Sequence, residues 1–270
     1  MFRTAAMKNP HGAPPLHPTA VIDPRARLAA DVSVGPYCVI GPEVEIGSGC
    51  SIAAHVVITG ATRLGDNNRV YPFACLGEAP QDKKYAGETT QLVIGNDNCI
   101  REYVTINRGT VADEGVTRIG DANWIMAYVH IAHDCRVGSH TVFANHTTLA
   151  GHVQVADHVT LGGATLVHQF CRIGAHVFSA YGARINKDVP PFILVGEGRA
   201  RPRGINAEGL RRRGFSHTRI GLLRQAYRVL YRSGLGVEEA LRRLQTLETQ
   251  SADVAELRAF VAARQRSIVR

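Results

Sequence analysis

The sequence lacks several features that would each mark a particular class of protein. No stretch of its 270 residues is apolar for long enough to span a membrane or to form the core of a signal peptide. The six cysteines show no CxxC spacing, which favours buried free thiols in a reducing compartment. Aromatic residues make up 6% of the chain and do not alternate with its arginines, unlike those of an RNA-binding platform. We therefore expect a cytoplasmic protein with no membrane insertion and no nucleic-acid partner.

Positive charge is concentrated toward the C-terminus. Residues 199–270 contain 16 basic and 6 acidic residues, a net charge of +10, whereas the whole chain carries +8. The preceding part of the chain is therefore slightly acidic. Because these arginines fall on amphipathic helical patterns, the charge predicts a partner that is an acidic protein or a phosphorylated small molecule.

Aliphatic residues recur every six positions over most of the preceding sequence. This period fits neither an α-helix nor an ordinary strand, but it is typical of a hexapeptide parallel β-helix, in which each flat side points one aliphatic residue inward. Glycine commonly follows the aliphatic residue, and we expect it to adopt the backbone angles of the corners. The positions in register are Ile22, Leu28, Val34, Ile40, Ile46, Ile52, Ile58, Leu64, Val70, Leu76, Ile94, Ile100, Ile106, Ile119, Ile125, Ile131, Val137, Phe143, Leu149, Val155, Leu161, Val167 and Ile173.

The repeat and its breaks predict the domain organisation. Residues 1–18 have no periodic pattern and are expected to be a disordered extension. The β-helix is predicted over 19–191, with polar loops expelled at 77–93 and 109–118, and consecutive prolines are expected to end it. Helical periodicity then predicts an α-helical domain over 192–270, with helix starts near Ser216 and Asp253.

Three flat sides make one coil, so side chains 18 residues apart stack in columns that rise about 4.8 Å per coil. One column reads His133, Gly151 and Gln169, and the adjacent column contains Asp134 and His152. His133 is therefore a candidate general base whose tautomer Asp134 or His152 could fix. Gly151 has no side chain to shield its backbone N–H, which suits an oxyanion donor. Because this column holds no Ser or Cys, the arrangement favours direct acyl transfer without a covalent enzyme intermediate.

Other interpretations of these histidines stay open. His140, His158 and His176 form a column of their own, which indicates that histidine is also an ordinary surface residue of such a coil. A zinc hydratase like the γ-class carbonic anhydrases could enlist His130, His133 and His152 as ligands. A trimeric scaffold without catalytic activity is a further alternative. Cys135 could be proposed as a nucleophile, but the strand alternation points it into the core.

Several motifs together resemble one family, the acyl-carrier-protein–UDP-N-acetylglucosamine O-acyltransferases. The resemblance runs from about residue 17 to residue 270 in order and spacing, and it implies a left-handed β-helix followed by a C-terminal helical bundle. It argues against the related N-acyltransferases, which carry an additional N-terminal uridine-binding domain. A sugar acetyltransferase that uses coenzyme A is an alternative on the fold alone, but the motifs at 81–88 and 209–216 argue against it. The motifs are QDKKYAGE at 81–88, HIAHDC at 130–135, LAGHV at 149–153, VHQFC at 167–171, DVPP at 188–191 and GLRRRGFS at 209–216.

The resemblance implies a function and a set of site residues. A cytoplasmic homotrimer would transfer an (R)-3-hydroxyacyl group from acyl carrier protein to the 3-hydroxyl of UDP-N-acetylglucosamine, the first step of lipid A biosynthesis, with no cofactor and no metal. His133 would be the base, Asp134 its orienting partner and Gly151 the oxyanion donor, in active sites between neighbouring subunits. The substrate-binding positions would be Asp82, Lys84, His130, His152, His168, Gln169, Asn206, Glu208, Arg212 and Arg213.

Two residues depart from the pattern of many relatives. Asn107 stands where the family commonly has histidine, so this position can form hydrogen bonds but cannot carry a charge. Tyr181 stands where several relatives have glycine, at a position that closes the far end of the acyl groove. A ring there would exclude several methylene groups, each contributing about 0.8 kcal/mol when buried. We therefore expect a preference for short acyl chains of about ten carbons over fourteen.

Overall fold

The computed structural model describes residues 16–270 of the chain. The expected N-terminal extension, residues 1–18, lies mostly outside the described residues. Its last part belongs to the first coil, because Leu16 forms a β-bridge with Val34 and the His17 N–H donates to the Val34 carbonyl at 2.9 Å.

Short β-strands make up the part of the chain that carries the repeat. Most are two residues long, and in nearly all of these the second residue is one of the apolar residues of the six-residue period. In chain order they are β1 (Val21–Ile22), β2 (Arg27–Leu28), β3 (Ser33–Val34), β4 (Val39–Ile40), β5 (Glu45–Ile46), β6 (Ser51–Ile52), β7 (Val57–Ile58), β8 (Ala61–Leu64), β9 (Arg69–Val70), β10 (Cys75–Glu78), β11 (Gln91–Ile94), β12 (Cys99–Ile100), β13 (Thr105–Asn107), β14 (Val116–Ile119), β15 (Trp124–Ile125), β16 (His130–Ile131), β17 (Arg136–Val137), β18 (Val142–Phe143), β19 (Thr148–Leu149), β20 (Gln154–Val155), β21 (Thr160–Leu161), β22 (Leu166–Val167), β23 (Arg172–Ile173), β24 (Phe178–Ser179), β25 (Ala183–Ile185), β26 (Ile193–Val195), β27 (Gly198–Arg199) and β28 (Pro202–Ile205).

The strands form three sheets, which are the flat sides of a prism. Sheet I has the order β1-β4-β7-β10-β13-β16-β19-β22-β25-β27, sheet II runs from β2 to β23, and sheet III runs from β3 through β26 to β28. Every strand pairing is parallel except that of β26 with β28. The aliphatic residues of all three sides meet in one continuous core, which is almost completely buried. The chain passes from sheet I to II to III, so the prism has three edges, which we name I/II, II/III and III/I.

Both expelled loops leave the prism at edge I/II. Residues 79–90 connect β10 to β11, and residues 108–115 connect β13 to β14. The predicted bounds of 77–93 and 109–118 were too wide at their C-terminal ends. The residues that end each break pair in register as β11 and β14, with Gln91 opposite Val116 and Ile94 opposite Ile119.

The glycines after the aliphatic residues do not provide the corner angles, so that expectation was wrong. At most corners a residue with positive φ stands three positions after the aliphatic residue, and it is usually His, Tyr, Phe, Asp or Asn, as at Asn67 and His140. Glycine is needed because consecutive coils approach closely. A Cβ at Gly47 would lie 2.7 Å from the Gly65 carbonyl, and one at Gly120 would lie 2.7 Å from the Gly138 carbonyl.

Parallel pairing continues beyond Pro191, so the predicted end of the β-helix was too early. Strand β26 pairs in parallel with β24, and β27 pairs in parallel with β25. Pro190 and Pro191 lie between strands, at edge II/III, where the ladder requires no N–H donor. Strand β28 then runs antiparallel to β26 and ends sheet III.

Four helices follow: α1 (Ala207–Arg212), α2 (His217–Tyr231), α3 (Val237–Glu248) and α4 (Ala252–Ala262). Ser216 caps α2 as predicted, since its side chain accepts a hydrogen bond from the Arg219 N–H. Asp253 lies inside α4 rather than capping it, and its carboxylate binds the Arg219 guanidinium at 2.7 and 2.8 Å. Among residues 16–270, no helix is long and apolar enough to cross a bilayer.

Candidate active site

The predicted His133 group lies at edge I/II, where β16 turns into β17. The His133 Nδ1 is 2.8 Å from the Asp134 Oδ2. Asp134 has a positive φ of 60°, and its side chain is 1% exposed, whereas that of His133 is 16% exposed. In the neutral imidazole, a carboxylate that accepts from Nδ1 leaves the lone pair of the ring on Nε2.

The carboxylate of Asp134 is held by the loop that precedes β14. The Thr110 N–H donates to its Oδ1 at 2.8 Å, and the Thr110 hydroxyl donates to its Oδ2 at 2.7 Å. The Asp134 N–H in turn donates to the Thr117 hydroxyl at 2.8 Å. These contacts fix both the rotamer of the carboxylate and the turn that carries it.

Gly151 lies directly against the His133 ring. A Cβ at this position would be 2.6 Å from Cε1 and 2.8 Å from Nε2 of the imidazole. Any larger residue would therefore displace the ring. Among the described residues, the Gly151 N–H donates no backbone hydrogen bond, so it can serve an incoming oxygen beside Nε2.

His152 links the His133 group to the second loop. Its ring is perpendicular to that of His133 with 5.2 Å between centroids, and it stacks on Phe170 at 4.4 Å. The His152 Nδ1 is 3.2 Å from the Asp113 carboxylate, which also binds Arg136 at 3.0 Å. Loop 108–115 therefore contacts both histidines of the site, directly or through Asp134.

Cys135 is a core residue, as the strand alternation predicted. Its side chain is fully buried, and its thiol donates to the Ala150 carbonyl at 3.2 Å. Burial raises the pKa of the Cys135 thiol to about 12, so it is not a thiolate at neutral pH. The other cysteines are also free thiols, buried except for the half-buried Cys75.

The next coil places His168 and Gln169 at the same edge. Both are exposed, and the His168 Nδ1 is 3.0 Å from the Gln169 carbonyl oxygen. That oxygen also accepts a hydrogen bond from the Arg266 guanidinium at 2.6 Å. The segment after α4 thus fixes the backbone of Gln169, whose side-chain amide has no hydrogen-bond partner within residues 16–270.

Loop 79–90 brings Asp82 and Lys84 to edge I/II. The Asp82 carboxylate accepts from the Lys84 N–H at 3.0 Å, and the Lys84 side chain is exposed. Asn107, where many family members have histidine, anchors this loop, because its buried amide donates to the Ala79 carbonyl at 2.7 Å.

His130 lies on β16, just before the site. Its Nδ1 is 2.7 Å from the Thr105 hydroxyl, and its pKa is lowered by burial and by the nearby His133.

The remaining predicted residues lie on other edges of the same chain. Asn206 caps α1 and donates to the His176 carbonyl at 3.0 Å, and Arg213 contacts the His158 Nδ1 at 2.5 Å, both at edge II/III. On α1, Glu208 pairs with Arg211 and Arg212. Tyr181 lies at edge III/I and is 73% exposed. One chain therefore does not bring these residues together with His133.

Part of the site could hold a metal ion. Ligand atoms of His133, Asp134 and His152 lie within 4.8 Å of one another. His130, which the zinc hypothesis included, is not in this group and binds Thr105 instead. The Asp134 Oδ2 is already shared by the Thr110 hydroxyl and the His133 Nδ1.

Sequence reasoning missed Thr110, Asp113, Thr117 and Arg266. The first two lie on an insertion, whose contacts the 18-residue column rule cannot locate. Thr117 could have been found, because it precedes Cys135 by one coil at the inward position of the same edge. Arg266 follows the last helix, and no sequence pattern indicated where it docks.

A prism of hexapeptide coils that carries a histidine–carboxylate pair at one edge is the architecture expected of a hexapeptide-repeat acyltransferase. Comparisons with known proteins agree with this class. The profile described as "Bacterial transferase hexapeptide (six repeats)" matches residues 25–60 and 117–151. The profile described as "Udp N-acetylglucosamine O-acyltransferase; Domain 2" matches residues 188–269.

Full-length relatives identify the particular family. The chain is 58% identical to an acyl-[acyl-carrier-protein]–UDP-N-acetylglucosamine O-acyltransferase of Verminephrobacter eiseniae, over 94% of this chain and 99% of the relative. The protein of the same name from Janthinobacterium sp. is 55% identical with the same coverage. The crystal structure of UDP-N-acetylglucosamine O-acyltransferase from Moraxella catarrhalis superimposes with a TM-score of 0.92 at 44% identity, covering 94% of this chain and 99% of that one.

The chain belongs to the acyl-carrier-protein–UDP-N-acetylglucosamine O-acyltransferase family. It is therefore an acyltransferase, as the motifs predicted. The predicted fold is also confirmed, a left-handed parallel β-helix with a C-terminal α-helical domain.

Proposed function

We propose that the protein transfers an (R)-3-hydroxyacyl group from acyl carrier protein to the 3-hydroxyl of UDP-N-acetylglucosamine, opening lipid A biosynthesis in the cytoplasm. The observation that carries the proposal is the His133–Asp134 pair, 2.8 Å apart, with the His133 ring lying against Gly151. The names of the relatives supply the donor and acceptor classes. Because the carrier presents its acyl group as a thioester, no resident cofactor is needed.

The geometry supports a direct displacement. With Nδ1 donating to Asp134, the His133 Nε2 takes the proton of the sugar hydroxyl as its oxygen attacks the thioester carbonyl. The resulting oxyanion accepts a hydrogen bond from the Gly151 N–H. Collapse breaks the carbon–sulfur bond, and the leaving thiolate of the carrier recovers the proton from the His133 imidazolium. His152, His168 and Gln169 line the path of the acceptor at the same edge.

A homotrimer would complete this site. The residues that the resemblance assigns to nucleotide and carrier, including Asn206 and Arg213, lie at edge II/III, whereas His133 lies at edge I/II. Packing neighbouring subunits edge to edge would bring the two sets together. The net charge of +10 over residues 199–270 would then face the acidic carrier and the diphosphate.

The test is to incubate the purified protein with 3-hydroxyacyl carrier protein and UDP-N-acetylglucosamine and to measure acylated sugar nucleotide by mass spectrometry. His133→Ala should lower kcat by about 10²–10⁴ while the trimer stays intact. His140→Ala is the matched control, because its exposed ring lies at edge II/III and stacks on His158. Near-normal kcat in a folded His133→Ala protein would contradict the assignment of the base. Turnover with acetyl coenzyme A alone would identify a sugar acetyltransferase instead.

A zinc-dependent hydratase is the second candidate, because His133, Asp134 and His152 could supply three ligands. The two functions differ in their response to chelation. On the acyltransferase proposal, dialysis against a chelator leaves acyl transfer unchanged. Loss of activity that added zinc restores would favour the metal site.

A further inference from the structure

We propose that Thr110 is a positioning residue that acts on the reaction through Asp134, and that loop 108–115 exists at this edge to supply it. The inference rests on the proposed role of His133 as the base. Nothing in the repeat requires the loop, since the three coils that follow it turn from sheet I to sheet II without an insertion. The contacts that the loop makes therefore indicate its role.

Thr110 is almost completely buried, with 4% of its surface exposed. Its N–H and its hydroxyl each bind a different oxygen of the Asp134 carboxylate, at 2.8 and 2.7 Å. Two bonds from one residue to both oxygens prevent rotation of the carboxylate about its last torsion. The Oδ2 that receives the hydroxyl is also the oxygen that lies 2.8 Å from the His133 Nδ1.

The shared oxygen couples Thr110 to the ring. Because a hydroxyl that donates to Oδ2 leaves that oxygen an acceptor, the His133 Nδ1 must be the donor in the other bond. The lone pair of the ring is then on Nε2, beside Gly151. Loss of the hydroxyl would release one side of Asp134 and let the carboxylate and the ring drift from this geometry, without removing any group that touches substrate.

The loop itself is fixed by packing. A Cβ on Gly109 would lie 2.2 Å from the Val116 nitrogen, so only glycine fits beside Thr110. The Gly109 N–H donates to the Gln91 carbonyl at 3.1 Å, and the Thr110 carbonyl accepts from the N–H groups of Asp113 and Gly115 at 3.2 and 3.1 Å. Thr110 is thus held through Gly109 by β11, two coils before the one that carries Asp134, and by hydrogen bonds within its own loop.

Thr110→Val tests the inference, because valine keeps the shape and the backbone donor and removes only the hydroxyl. We expect kcat to fall about 10- to 100-fold with KM for both substrates within twofold, as for a small displacement of a catalytic group. Thr110→Ser should restore kcat to within about threefold, since it returns the donor. The matched control is Thr90→Val, because Thr90 is 2% exposed and its hydroxyl has no hydrogen-bond partner among the described residues.

A double-mutant cycle separates positioning from a general loss of structure. In the His133→Ala background, Thr110→Val should have no further effect on the residual rate, because the group it positions is absent. A further 10-fold loss in that background, or failure of serine to rescue, would overturn the inference. If His133→Ala itself leaves kcat unchanged, the proposed base is wrong. If His133→Ala lowers kcat and Thr110→Val does not, only the positioning role is wrong.

Discussion

Edges I/II and II/III of the prism carry histidines at the same position of the repeat and use them differently. His152 at edge I/II and His158 at edge II/III both have φ of 62°. His158 stacks between His140 and His176 at 5.0 and 4.8 Å, in a ladder that continues to Phe192. His152 also stacks on one ring, that of Phe170, but it contacts an edge-on imidazole as well, and its Nδ1 lies 3.2 Å from a carboxylate.

The difference between the edges comes from the insertions. Both loops leave the prism at edge I/II, and one of them supplies Thr110 and Asp113 to the polar groups there. Edge II/III has no insertion between its strands over the same coils, and its rings therefore contact one another. A histidine that recurs along the repeat becomes part of a candidate site where an inserted loop places polar side chains around it.

The most direct way to break this difference is to fill the space beside the base. Gly151→Ala should lower kcat by about 100-fold or more, because the new methyl group would displace the His133 ring. Gly221→Ala in α2 is the control, since a Cβ there meets nothing within 4 Å. Steady-state kinetics with both substrates will decide, and an active Gly151→Ala enzyme with an undisplaced ring would contradict the proposed contact.

The third edge is expected to determine acyl length rather than chemistry. Tyr181 at edge III/I lies over Gly163, with its ring 3.2 Å from where a Cβ of that glycine would be. Wild type should prefer a ten-carbon over a fourteen-carbon donor, and Tyr181→Gly should shift the kcat/KM ratio toward fourteen carbons by about 10-fold or more, since several methylenes gain a site. A wild type that already prefers fourteen carbons, or a mutant with an unchanged ratio, would exclude this role.

Edge II/III is expected to contribute to substrate binding through the helical domain that packs against it. Replacing both Arg212 and Arg213 with alanine should raise KM for the carrier or the sugar nucleotide by about 10-fold. Added salt should also raise this KM of the wild-type enzyme, because it screens the same charges. Arg242→Ala with Arg243→Ala on α3 removes the same charge at another place. If both double substitutions raise KM equally, the effect depends on net charge and not on the position of Arg212 and Arg213. If the melting temperature falls while KM is unchanged, these two arginines have a structural role.

The smallest effect is expected from the ring ladder itself. Burial, with His158 and Arg213 nearby, lowers the pKa of His176 to about 4 in the folded protein, from the ordinary value of 6.5. The unfolded chain therefore binds a proton that the folded protein does not between about pH 6.5 and pH 4, so stability is lost as the pH falls through this window. Thermal melts of wild type and His176→Phe should show a flatter pH dependence in the variant. Identical slopes would contradict the assignment.

The periodic part of the molecule was predictable from the sequence. The six-residue spacing fixed which side chains face the core and which stack, so His133, Asp134, Gly151 and His152 were expected together and are found together. The predicted role of the glycines was wrong, because sequence spacing does not reveal how closely two coils approach each other. The loop contacts to Asp134 and the docking of the helical domain were not predicted, since neither follows the repeat.

Strand β28 has a consequence for how the solenoid behaves in a crowded solution. A stack of parallel coils exposes on its last strand the same unpaired backbone groups that joined every earlier pair, and such an edge can template fibre growth. Here β28 reverses direction against β26, so another copy cannot continue that sheet in register. Pro202 contributes no N–H, and its carbonyl accepts from the Tyr227 hydroxyl of α2 at 3.2 Å. In sheet III, one short strand thereby removes the parallel edge on which a further coil would stack.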